Sequence, residues 1–514
     1  MSERIVVNGL TMTPELLFKL GQGGVTLEIA ESAWDRVNQS RSLIDTILQQ
    51  GKIAYGINTG FGFFANTIIS PENLRKLQFN LIRSHSVGVG SPLPPERVRM
   101  LLALRINVLC KGFSGISASL LTKLVEAYNK DCLSYVPEQG TVGACGDLAP
   151  LAHLCLGLMG EGLMYDSDSK GYIPAAEVLA KKNYEPIREL FPKEGLSMIN
   201  GAQMISALCA EALVRAEIAS KTADVIASLS LDILKGTYKA LDPQIHEARP
   251  HPGQMAVAAR MRKILMPSGE GSELNLSHID CTKVQDSYSL RCIPQVHGIT
   301  HDTLDFVRAR LTTELNSATD NPMIFTDTCQ ILSGGNFHGE YPAKLSDYLG
   351  IAIHEIGSIS ETRIQRLMNT TQSGLPSFLA DEPGLNSGYM MVHCTAASLV
   401  SENKALCHPS SVDTIATSAG QEDHVSMGGW AARKAINIVK NVETILAIEL
   451  LCDVKAMEFL RPLKSSEPLE KVISAVKDRI EMHNHDYVVN EDIETLRKMI
   501  SNGDILNAVK EYIS

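Results

Sequence analysis

Apolar residues recur every three to four positions along several stretches that are much longer than an average helix. From Met204 to Lys235 the pattern contains no proline or glycine, and Gly236 then supplies a C-terminal stop signal. A helix of that length extends about 45 Å. The same pattern predicts long helices from about His297 to Asn316, from Tyr341 to Met368 and from Trp430 to Leu460. The chain is therefore predicted to be mainly α.

The apolar stripes of these helices contain Ala, Ser and Gly and lack sustained heptads, which favours a multi-helix bundle over a coiled coil. One stripe consists of Ala435, Ile438, Val439, Val442, Ile445 and Leu446. With 514 residues, of which 44% are hydrophobic and 20% charged, the chain is long enough to bury a large core. We expect an N-terminal, loop-rich helical domain over residues 1–199, then the long-helix bundle and C-terminal helices over residues 200–514.

The connections between the predicted helices are rich in Gly, Asn, Ser and His. They are Tyr55 to Gly62, Ser84 to Gly90, Gly334 to His338 and Cys407 to Met427. Loops of this composition often hold functional sites. Turn chemistry alone is the alternative, because Asn and Gly favour positive φ.

The net charge of −11 at pH 7, without a long basic run, argues against nucleic acid or an anionic membrane as the main partner. Small molecules and other subunits are favoured instead. The eleven cysteines are scattered singly, with no CxxC and no zinc-ligand spacing. Because scattered cysteines are typical of a reducing cytosol, we expect a cytoplasmic protein. Because the zinc-ligand spacing is missing, we expect no metal site. The sequence shows neither a secretion signal nor a membrane-spanning segment.

The segment Gly143-Ala-Cys-Gly-Asp147 contains the residues needed to cyclise on its own backbone. The Gly146 amide nitrogen would attack the Ala144 carbonyl in a compressed turn, where a Cβ at position 146 would obstruct the approach. Loss of water, and then of the Cys145 side-chain heteroatom, leaves a methylidene on a five-membered imidazolone. Its exocyclic carbon would accept electrons from an amine or an aromatic ring. A glycine-rich helix start without chemistry is the alternative interpretation.

Seven motifs along the chain resemble, in order, those of the aromatic amino acid lyase family. They are Tyr55-Gly-Ile-Asn-Thr-Gly-Phe-Gly62, Arg83-Ser-His-Ser86, Gly143-Ala-Cys-Gly-Asp-Leu-Ala-Pro-Leu151, Ile199-Asn-Gly-Ala-Gln203, Val284-Gln-Asp-Ser-Tyr-Ser-Leu-Arg291, Gly335-Asn-Phe-His338 and Gln421-Glu-Asp-His-Val-Ser-Met427. The resemblance extends over nearly the whole chain.

The resemblance implies a long-helix bundle of the aromatic amino acid lyase and fumarase–aspartase-like type, with the cyclising turn on the N-terminal domain. It also implies a homotetramer whose active sites are assembled from several subunits. The prosthetic group, methylidene-imidazolone (MIO), is implied to form autocatalytically from Ala144, Cys145 and Gly146, without an external cofactor. The sequence leaves open whether the substrate amine or its ring bonds to MIO.

The chain departs from the family pattern at Cys145, where the family motif has Ser. Cyclisation uses backbone atoms only, and a thiol leaves Cβ at least as readily as a hydroxyl. We therefore expect the same methylidene. The alternative is an unprocessed Ala-Cys-Gly, in a trapped variant or an inactive paralogue, and a free Cys also packs as a small hydrophobe.

The resemblance assigns residues to the catalytic and carboxylate-binding roles. Tyr55 is the candidate general base, for which a cationic or helix-terminus environment would have to lower its pKa from about 10. Arg291 is expected to bind the substrate carboxylate, because its guanidinium contacts two oxygens at once. Tyr288, which is also a candidate catalytic residue, lies three residues before Arg291, and Gln285 lies three residues before Tyr288. This spacing predicts that the three side chains form one wall of a pocket. A surface salt bridge is the alternative for Arg291.

Three further side chains are expected around the prosthetic group. Asn200 and Gln203 resemble the amide pair that holds the amino group and the region of the ring oxygen. Phe337 resembles the residue that forms one wall of the MIO site. An Asn in a loop before a helix is otherwise a cap.

His85 and Glu422 indicate the substrate. A carboxylate accepts a hydrogen bond from an imidazole N–H, and His85 donates or accepts through its second nitrogen, so the pair suits a polar heteroaromatic ring. A buried carboxylate facing a phenol or phenyl would often lack a donor. The resemblance therefore implies elimination of ammonia from L-histidine to give trans-urocanate in histidine breakdown. A tyrosine ammonia-lyase or 2,3-aminomutase with the same group, and a catalytically silent scaffold, are the alternatives.

Overall fold

The computed structural model describes residues 3–281 and 283–513, and most of these residues lie in helices. The helices are α1 (Pro14–Gln22), α2 (Glu31–Gln49), α3 (Leu74–His85), α4 (Pro95–Leu109), α5 (Ala118–Asn129), α6 (Leu148–Leu158), α7 (Ala175–Lys181), α8 (Glu194–Ile199), α9 (Gln203–Ile233), α10 (Pro243–Glu247), α11 (Pro252–Leu265), α12 (Glu273–Leu276), α13 (Tyr288–Arg291), α14 (Ile293–Leu315), α15 (Glu340–Met368), α16 (Thr370–Ser373), α17 (Met390–Leu406), α18 (Gly428–Leu460), α19 (Glu467–Lys477), α20 (Asn490–Ser501), α21 (Asp504–Ala508) and α22 (Lys510–Ile513). This confirms the predicted mainly α fold.

The strands of the described residues are short and form two-stranded sheets. They are β1 (Glu3–Val7), β2 (Val25–Ile29), β3 (Val89–Pro92), β4 (Pro137–Gln139), β5 (Leu163–Asp166), β6 (Gly171–Pro174), β7 (Met323–Phe325) and β8 (Gln330–Leu332). β1 pairs with β2 in parallel, with Glu3 opposite Val25, and the other three pairs are antiparallel. None of these sheets is large enough to form a layer of the fold.

The four long helices predicted from apolar periodicity are present as α9, α14, α15 and α18. α14 begins at Ile293, earlier than the predicted His297. Pro294 permits this start because a residue in the first turn needs no intrahelical partner for its nitrogen. In α18 the stripe from Ala435 to Leu446 is at most 2% exposed at its six apolar positions. The predicted apolar face is therefore the buried face.

The chain folds into two compact units built from alternating segments. The first consists of Met1–Glu211, Arg308–Asp347 and Pro409–Arg433, and the second of Ala212–Val307, Tyr348–His408 and Lys434–Ser514. The first break lies near the expected boundary after residue 199, but the chain returns twice to the first unit. A single division into 1–199 and 200–514 does not describe this, because most boundaries fall inside the continuous helices α9, α14, α15 and α18.

Charged residues interrupt the apolar character of the long helices. α18, for example, includes Arg433, Lys440, Glu449 and Asp453. Within the described part of the chain, no helix is long and apolar enough to cross a membrane.

The interior of the second unit contains buried ion pairs. Arg363 of α15 donates through Nε and Nη2 to the carboxylate of Glu449 of α18, and both side chains are fully buried. Asp224 of α9 accepts from His297 Nδ1 at 2.7 Å and from His301 Nε2 at 3.0 Å. Because an unpaired buried charge is costly, these residues complete each other inside the helix bundle.

Candidate active site

Two cavities of the first unit surround Cys145, with volumes of about 680 Å³ and 560 Å³. The residues that line both are Tyr55, Gly62, Cys145, Leu196, Asn200 and Glu422. Phe337 lines the larger cavity and His85 the smaller one. The fold therefore brings candidate residues from five separate motifs to the tripeptide.

The turn around the tripeptide is closed by one hydroxyl group. Thr141 Oγ1 accepts from Gly143 N and donates to Gly146 O, both at 3.0 Å. Gly143 and Gly146 have φ of +69° and +71°, where glycine is favoured. A Cβ on Gly146 would lie 2.3 Å from the carbonyl carbon and oxygen of Gly201. Only glycine therefore fits position 146 without a shift of the Gly201 backbone.

The turn lies at the N-terminal ends of four helices. α6 begins directly after it, and residues at the starts of α9, α15 and α18 donate main-chain hydrogen bonds to it. These bonds join Ile205 N to Asp147 Oδ2 (3.0 Å), Gly339 N to Gly143 O (3.3 Å) and Met427 N to Val142 O (2.8 Å). Because helix N-termini favour nearby negative charge, this arrangement suits a group that takes up electron density.

The Cys145 thiol is held in the cavity as a hydrogen-bond donor. Its Sγ donates to Glu422 Oε1 at 3.0 Å, and Asn200 Nδ2 donates to the Cys145 carbonyl oxygen at 3.5 Å. Burial raises the pKa of the Cys145 thiol well above its ordinary range, and the adjacent carboxylate raises it further. The sulfur therefore stays protonated at neutral pH.

The Tyr55 hydroxyl accepts a hydrogen bond from Gly62 N at 3.2 Å. Burial raises the pKa of Tyr55, the Gly62 N–H lowers it, and Cys145 and Glu422 raise it again. These neighbours do not supply the cationic environment that a tyrosine base requires, because burial and a carboxylate outweigh a single N–H donor.

His85, at the end of α3, is a hydrogen-bond acceptor towards the cavity. Its Nδ1 lies 2.8 Å from the Leu81 carbonyl oxygen, which only accepts, so Nδ1 carries the hydrogen and Nε2 is an acceptor in the neutral ring. Burial lowers the pKa of His85 from 6.5, although the Leu81 carbonyl and Glu422 oppose this shift. The neutral form is therefore favoured at pH 7.

Both carboxylate oxygens of Glu422 have a donor. Oε1 accepts from the Cys145 thiol, and Oε2 accepts from Thr417 Oγ1 at 2.7 Å. One of the two donors is thus the group that is expected to leave.

The two amide residues occupy different positions. Asn200 lines both cavities, and its Oδ1 is buried without a hydrogen-bond partner in the described structure. Gln203 lines neither cavity; it donates to Thr319 Oγ1 at 2.6 Å and accepts from Arg105 Nη1 at 3.0 Å. Gln203 therefore connects the start of α9 to the side chains of Arg105 and Thr319.

Gln285, Tyr288 and Arg291 belong to the second unit and line neither cavity. Gln285 is exposed, and Tyr288 is 72% exposed. Arg291 Nε donates to the Asp286 carbonyl oxygen at 3.2 Å, and its guanidinium lies 5.0 Å from the centre of the Tyr288 ring. The three-residue spacing thus places Tyr288 and Arg291 side by side on α13.

Sequence reasoning missed several polar residues at the site. His338, Asp423 and His424 line the larger cavity, and His338 Nε2 donates to the His424 carbonyl oxygen at 3.1 Å. These three residues lie in two of the seven motifs, so the sequence indicated that they are near the site but not which contacts they make. Arg105 and Thr141 were also missed, although an isolated arginine within the apolar run of α4 is a detectable signal.

The cysteines Cys110 to Cys452 are all free thiols. Among residues 3–281 and 283–513, no group of three or more His, Cys, Asp or Glu side chains is arranged to hold a metal ion.

Comparison with known proteins gives consistent matches. The family described as aromatic amino acid lyase matches residues 12–478. The chain is 54% identical over 509 residues to the histidine ammonia-lyase of Bos taurus, covering 99% of this chain and 77% of that protein. It is 50% identical in sequence to histidine ammonia-lyase from Trypanosoma cruzi, whose crystal structure matches with a TM-score of 0.92. This match covers 99% of this chain and 96% of that chain. A tyrosine aminomutase from Streptomyces globisporus is 32% identical, with a TM-score of 0.92 and coverage of 99% and 98%.

Proposed function

Because this chain belongs to the aromatic amino acid lyase family, we propose that it is a histidine ammonia-lyase, which eliminates ammonia from L-histidine and releases trans-urocanate. The observation that carries the proposal is the pair of acceptors, His85 and Glu422, in the cavity beside Cys145. Neutral His85 offers Nε2 and Glu422 offers its carboxylate, so the cavity suits a ring with N–H donors. The relatives named histidine ammonia-lyase, at 54% and 50% identity, support the same substrate.

The residues of the turn fit the MIO group of the family. Gly146 has no Cβ and therefore packs directly against the Gly201 backbone, and the Asn200 amide donates to the carbonyl oxygen of Cys145. The buried Asn200 Oδ1, which has no partner among the described residues, is an acceptor for the substrate ammonium. When formed, the group supplies an electrophilic methylidene carbon that withdraws electrons from the bound amino acid.

Formation of the group needs no atom from outside the chain. The Gly146 nitrogen bonds to the Ala144 carbonyl carbon, and the Ala144 oxygen leaves as water with the hydrogens of the Gly146 and Cys145 amides. A C=N bond then joins Ala144 to Cys145. The Cα hydrogen and the thiol of Cys145 leave as hydrogen sulfide, and a Cα=Cβ bond remains. A protonated thiol leaves as hydrosulfide, so the raised pKa of the Cys145 thiol favours this elimination.

Loss of the thiol also changes the environment of Glu422. Oε1 loses the donor that it has at 3.0 Å in the unprocessed chain, while Thr417 continues to hold Oε2. The freed oxygen is then available to an N–H of the substrate ring. Glu422 Oε1 therefore accepts a hydrogen bond from the Cys145 thiol before processing and from the substrate ring afterwards.

Tyr55 is assigned as the base that accepts the β-proton. The Gly62 N–H stabilises its phenolate, whereas burial opposes ionisation. A positive group close to the loaded site, such as the substrate ammonium or a guanidinium, would shift the balance towards the phenolate. Phe337 forms an aromatic wall of the larger cavity, and Gln203 positions the chain beside Asn200.

Arg291, Tyr288 and Gln285 are assigned to the active site of a neighbouring copy in a homotetramer. They line neither cavity of their own chain, and Arg291 remains the side chain best suited to a carboxylate. Apolar side chains exposed on the long helices, among them Ile299 at 62% and Tyr348 at 44%, support contact between copies. The free cysteines fit a cytoplasmic location, and no external cofactor is proposed.

A tyrosine lyase or aminomutase is the second candidate. The tyrosine aminomutase has a TM-score of 0.92, and a histidine in the position of His85 also suits a phenol hydroxyl. Glu422 favours histidine, because an imidazolium ring offers two N–H donors to the two acceptors, whereas a phenol offers only one donor.

The proposal is tested by incubating the purified protein with L-histidine or L-tyrosine and following the absorbance of the conjugated acrylate. Histidine turnover is expected to exceed tyrosine turnover, and the Glu422→Gln variant is expected to lose most of this preference. Glu28→Gln, an exposed partner of Arg4, is the matched control. Faster turnover of tyrosine would favour the second candidate, and turnover of neither amino acid would favour a silent scaffold.

A further inference from the structure

Arg105 is a buried charge in an otherwise apolar stretch of α4. Residues from Met100 to Leu109, except for Asn107 and Arg105, are apolar, and all of them are at most 3% exposed. Burial lowers the pKa of Arg105, and the carboxylate of Asp320 partly opposes this shift. Retaining a guanidinium in this place requires specific compensating contacts.

The hydrogen-bond acceptors of Arg105 lie between the last turn of α8 and the first residue of α9. Nη1 donates to the Asn200 carbonyl oxygen at 2.7 Å and to Gln203 Oε1 at 3.0 Å, and Nη2 donates to the Ser197 carbonyl oxygen. All three acceptors are neutral. The guanidinium therefore fixes the main chain of this connection rather than forming an ion pair with it.

The connection forms a single layer of backbone between Arg105 and the cyclising turn. A Cβ on Gly201 would lie 2.9 Å from Arg105 Nη1, and a Cβ on Gly146 would lie 2.3 Å from the Gly201 carbonyl. Asp147 N donates to the Gly201 carbonyl oxygen at 2.7 Å. Since both glycines lack a side chain, the position of the guanidinium determines how closely the Gly201 backbone approaches Gly146.

We propose that Arg105 is a positioning residue for the cyclisation of Ala144-Cys145-Gly146. It holds the Asn200–Gly201 peptide against Gly146, and the same contact directs the Asn200 amide towards the Cys145 carbonyl oxygen. This inference rests on the proposed function, because it concerns formation of the same group. Arg105 contacts none of the reacting atoms and acts through its neighbours.

The size of the effect follows from geometry. Two guanidinium nitrogens on separate carbonyl groups fix an orientation that one ammonium group does not. A displacement of about 1 Å in a reacting arrangement costs about 100-fold in rate. Loss of Arg105 should therefore slow cyclisation in a chain that still folds.

The test compares the wild type with Arg105→Met, Arg105→Gln and Arg105→Lys. Arg97→Met is the matched control, because Arg97 lies two turns earlier on α4 and donates to Glu211, away from the turn. Intact mass of the folded fraction reports the loss of one water and one hydrogen sulfide per chain, independently of activity. Thermal unfolding reports whether each variant is folded.

We expect complete processing in the wild type and in Arg97→Met, and several-fold slower processing in Arg105→Lys. The Met and Gln variants should be processed about 100-fold more slowly. A folded Gln or Met variant with the complete mass loss at the wild-type rate would overturn the role of Arg105 and leave the proposed function intact. Should neither fold, wild-type processing of Arg105→Lys would overturn it. An unmodified wild-type mass would overturn both proposals.

Discussion

Arg105 in the first unit and Arg363 in the second are both buried guanidinium groups, but their partners differ. Arg363 donates to the Glu449 carboxylate, which neutralises it. Arg105 donates to the Asn200 carbonyl and to the Gln203 amide, neither of which is charged. A cation paired with a carboxylate joins two helices, whereas a cation surrounded by carbonyl groups orders a stretch of main chain.

This difference separates two uses of a buried charge. The pair of Arg363 and Glu449 connects α15 to α18 inside the second unit. Arg105 orders a connection whose opposite side contacts Gly146. We therefore expect changes to the Arg363–Glu449 pair to affect mainly stability, and changes around Arg105 and Gly146 to affect mainly the chemistry of the turn.

The largest effect is expected from Gly146→Ala, which disrupts the close approach of Gly146 to the Gly201 backbone. The added Cβ would lie 2.3 Å from the Gly201 backbone, so the turn cannot keep its compressed shape. We expect an unprocessed mass and at least about a 10³-fold loss of activity, because the electrophile is absent. Gly171→Ala is the control, since its Cβ would have no neighbour closer than 3.8 Å. Normal processing of Gly146→Ala would contradict the steric argument.

Arg363→Met is expected to give the next largest effect, on stability. Removing one partner of a buried ion pair leaves Glu449 unpaired and costs about 3–5 kcal/mol of unfolding free energy. Thermal and denaturant unfolding measure this loss. Intact mass should show complete processing in the folded fraction. A folded Arg363→Met chain with a processing defect like that of Arg105→Met would remove the distinction between the two arginines.

Arg291 extends the comparison to a guanidinium that is only partly buried. Its Nε donates to the Asp286 carbonyl oxygen, and the group lies beside the Tyr288 ring. Arg291→Lys should raise KM for histidine about tenfold, because the two-point contact with the substrate carboxylate is lost. Steady-state kinetics measure this change, with the processed mass as the control. An unchanged KM would argue against the assigned role.

The smallest effect is expected at His85, whose imidazole differs from that of His297 in its hydrogen-bond partner. His297 Nδ1 lies against the Asp224 carboxylate, whereas His85 Nδ1 lies against the Leu81 carbonyl oxygen. Burial lowers the pKa of His85, so the neutral acceptor persists below pH 6.5 and is lost as the pH falls through the lowered pKa. His85→Gln, which has no titrating ring, should therefore lose part of the acid decline in kcat/KM, by about threefold.

The pH profile is compared with that of the wild type on the same substrate, so that ionisation of histidine itself cancels. His297→Gln is the matched control and should keep the wild-type acid limb. An identical acid limb in His85→Gln would show that His85 does not titrate during catalysis.

The long helices and the cyclising turn were predictable for different physical reasons. In α18 the spacing from Ala435 to Leu446 reports directly which face is buried. At Gly146 the chemistry of ring closure predicts a residue without a Cβ, and the Gly201 backbone separately requires glycine there. Both predictions follow from local constraints within a short stretch of sequence.

The supports of the site were less accessible to sequence reasoning because they depend on long-range contacts. Arg105 meets Asn200 only in the folded chain, and a single sequence does not give their separation in space. The division of the chain into two units built from alternating segments depends likewise on long-range contacts, not on composition. Tyr55 differs from expectation in its pKa, because burial and carboxylate neighbours combine there.

Formation of the electrophile is tested most directly by the intact mass of freshly purified wild-type protein, together with its activity on L-histidine. We expect a chain lighter than its sequence by one water and one hydrogen sulfide. An active protein with the unmodified mass would show that ammonia leaves without any electrophile made from Ala144, Cys145 and Gly146, and would contradict the central claim.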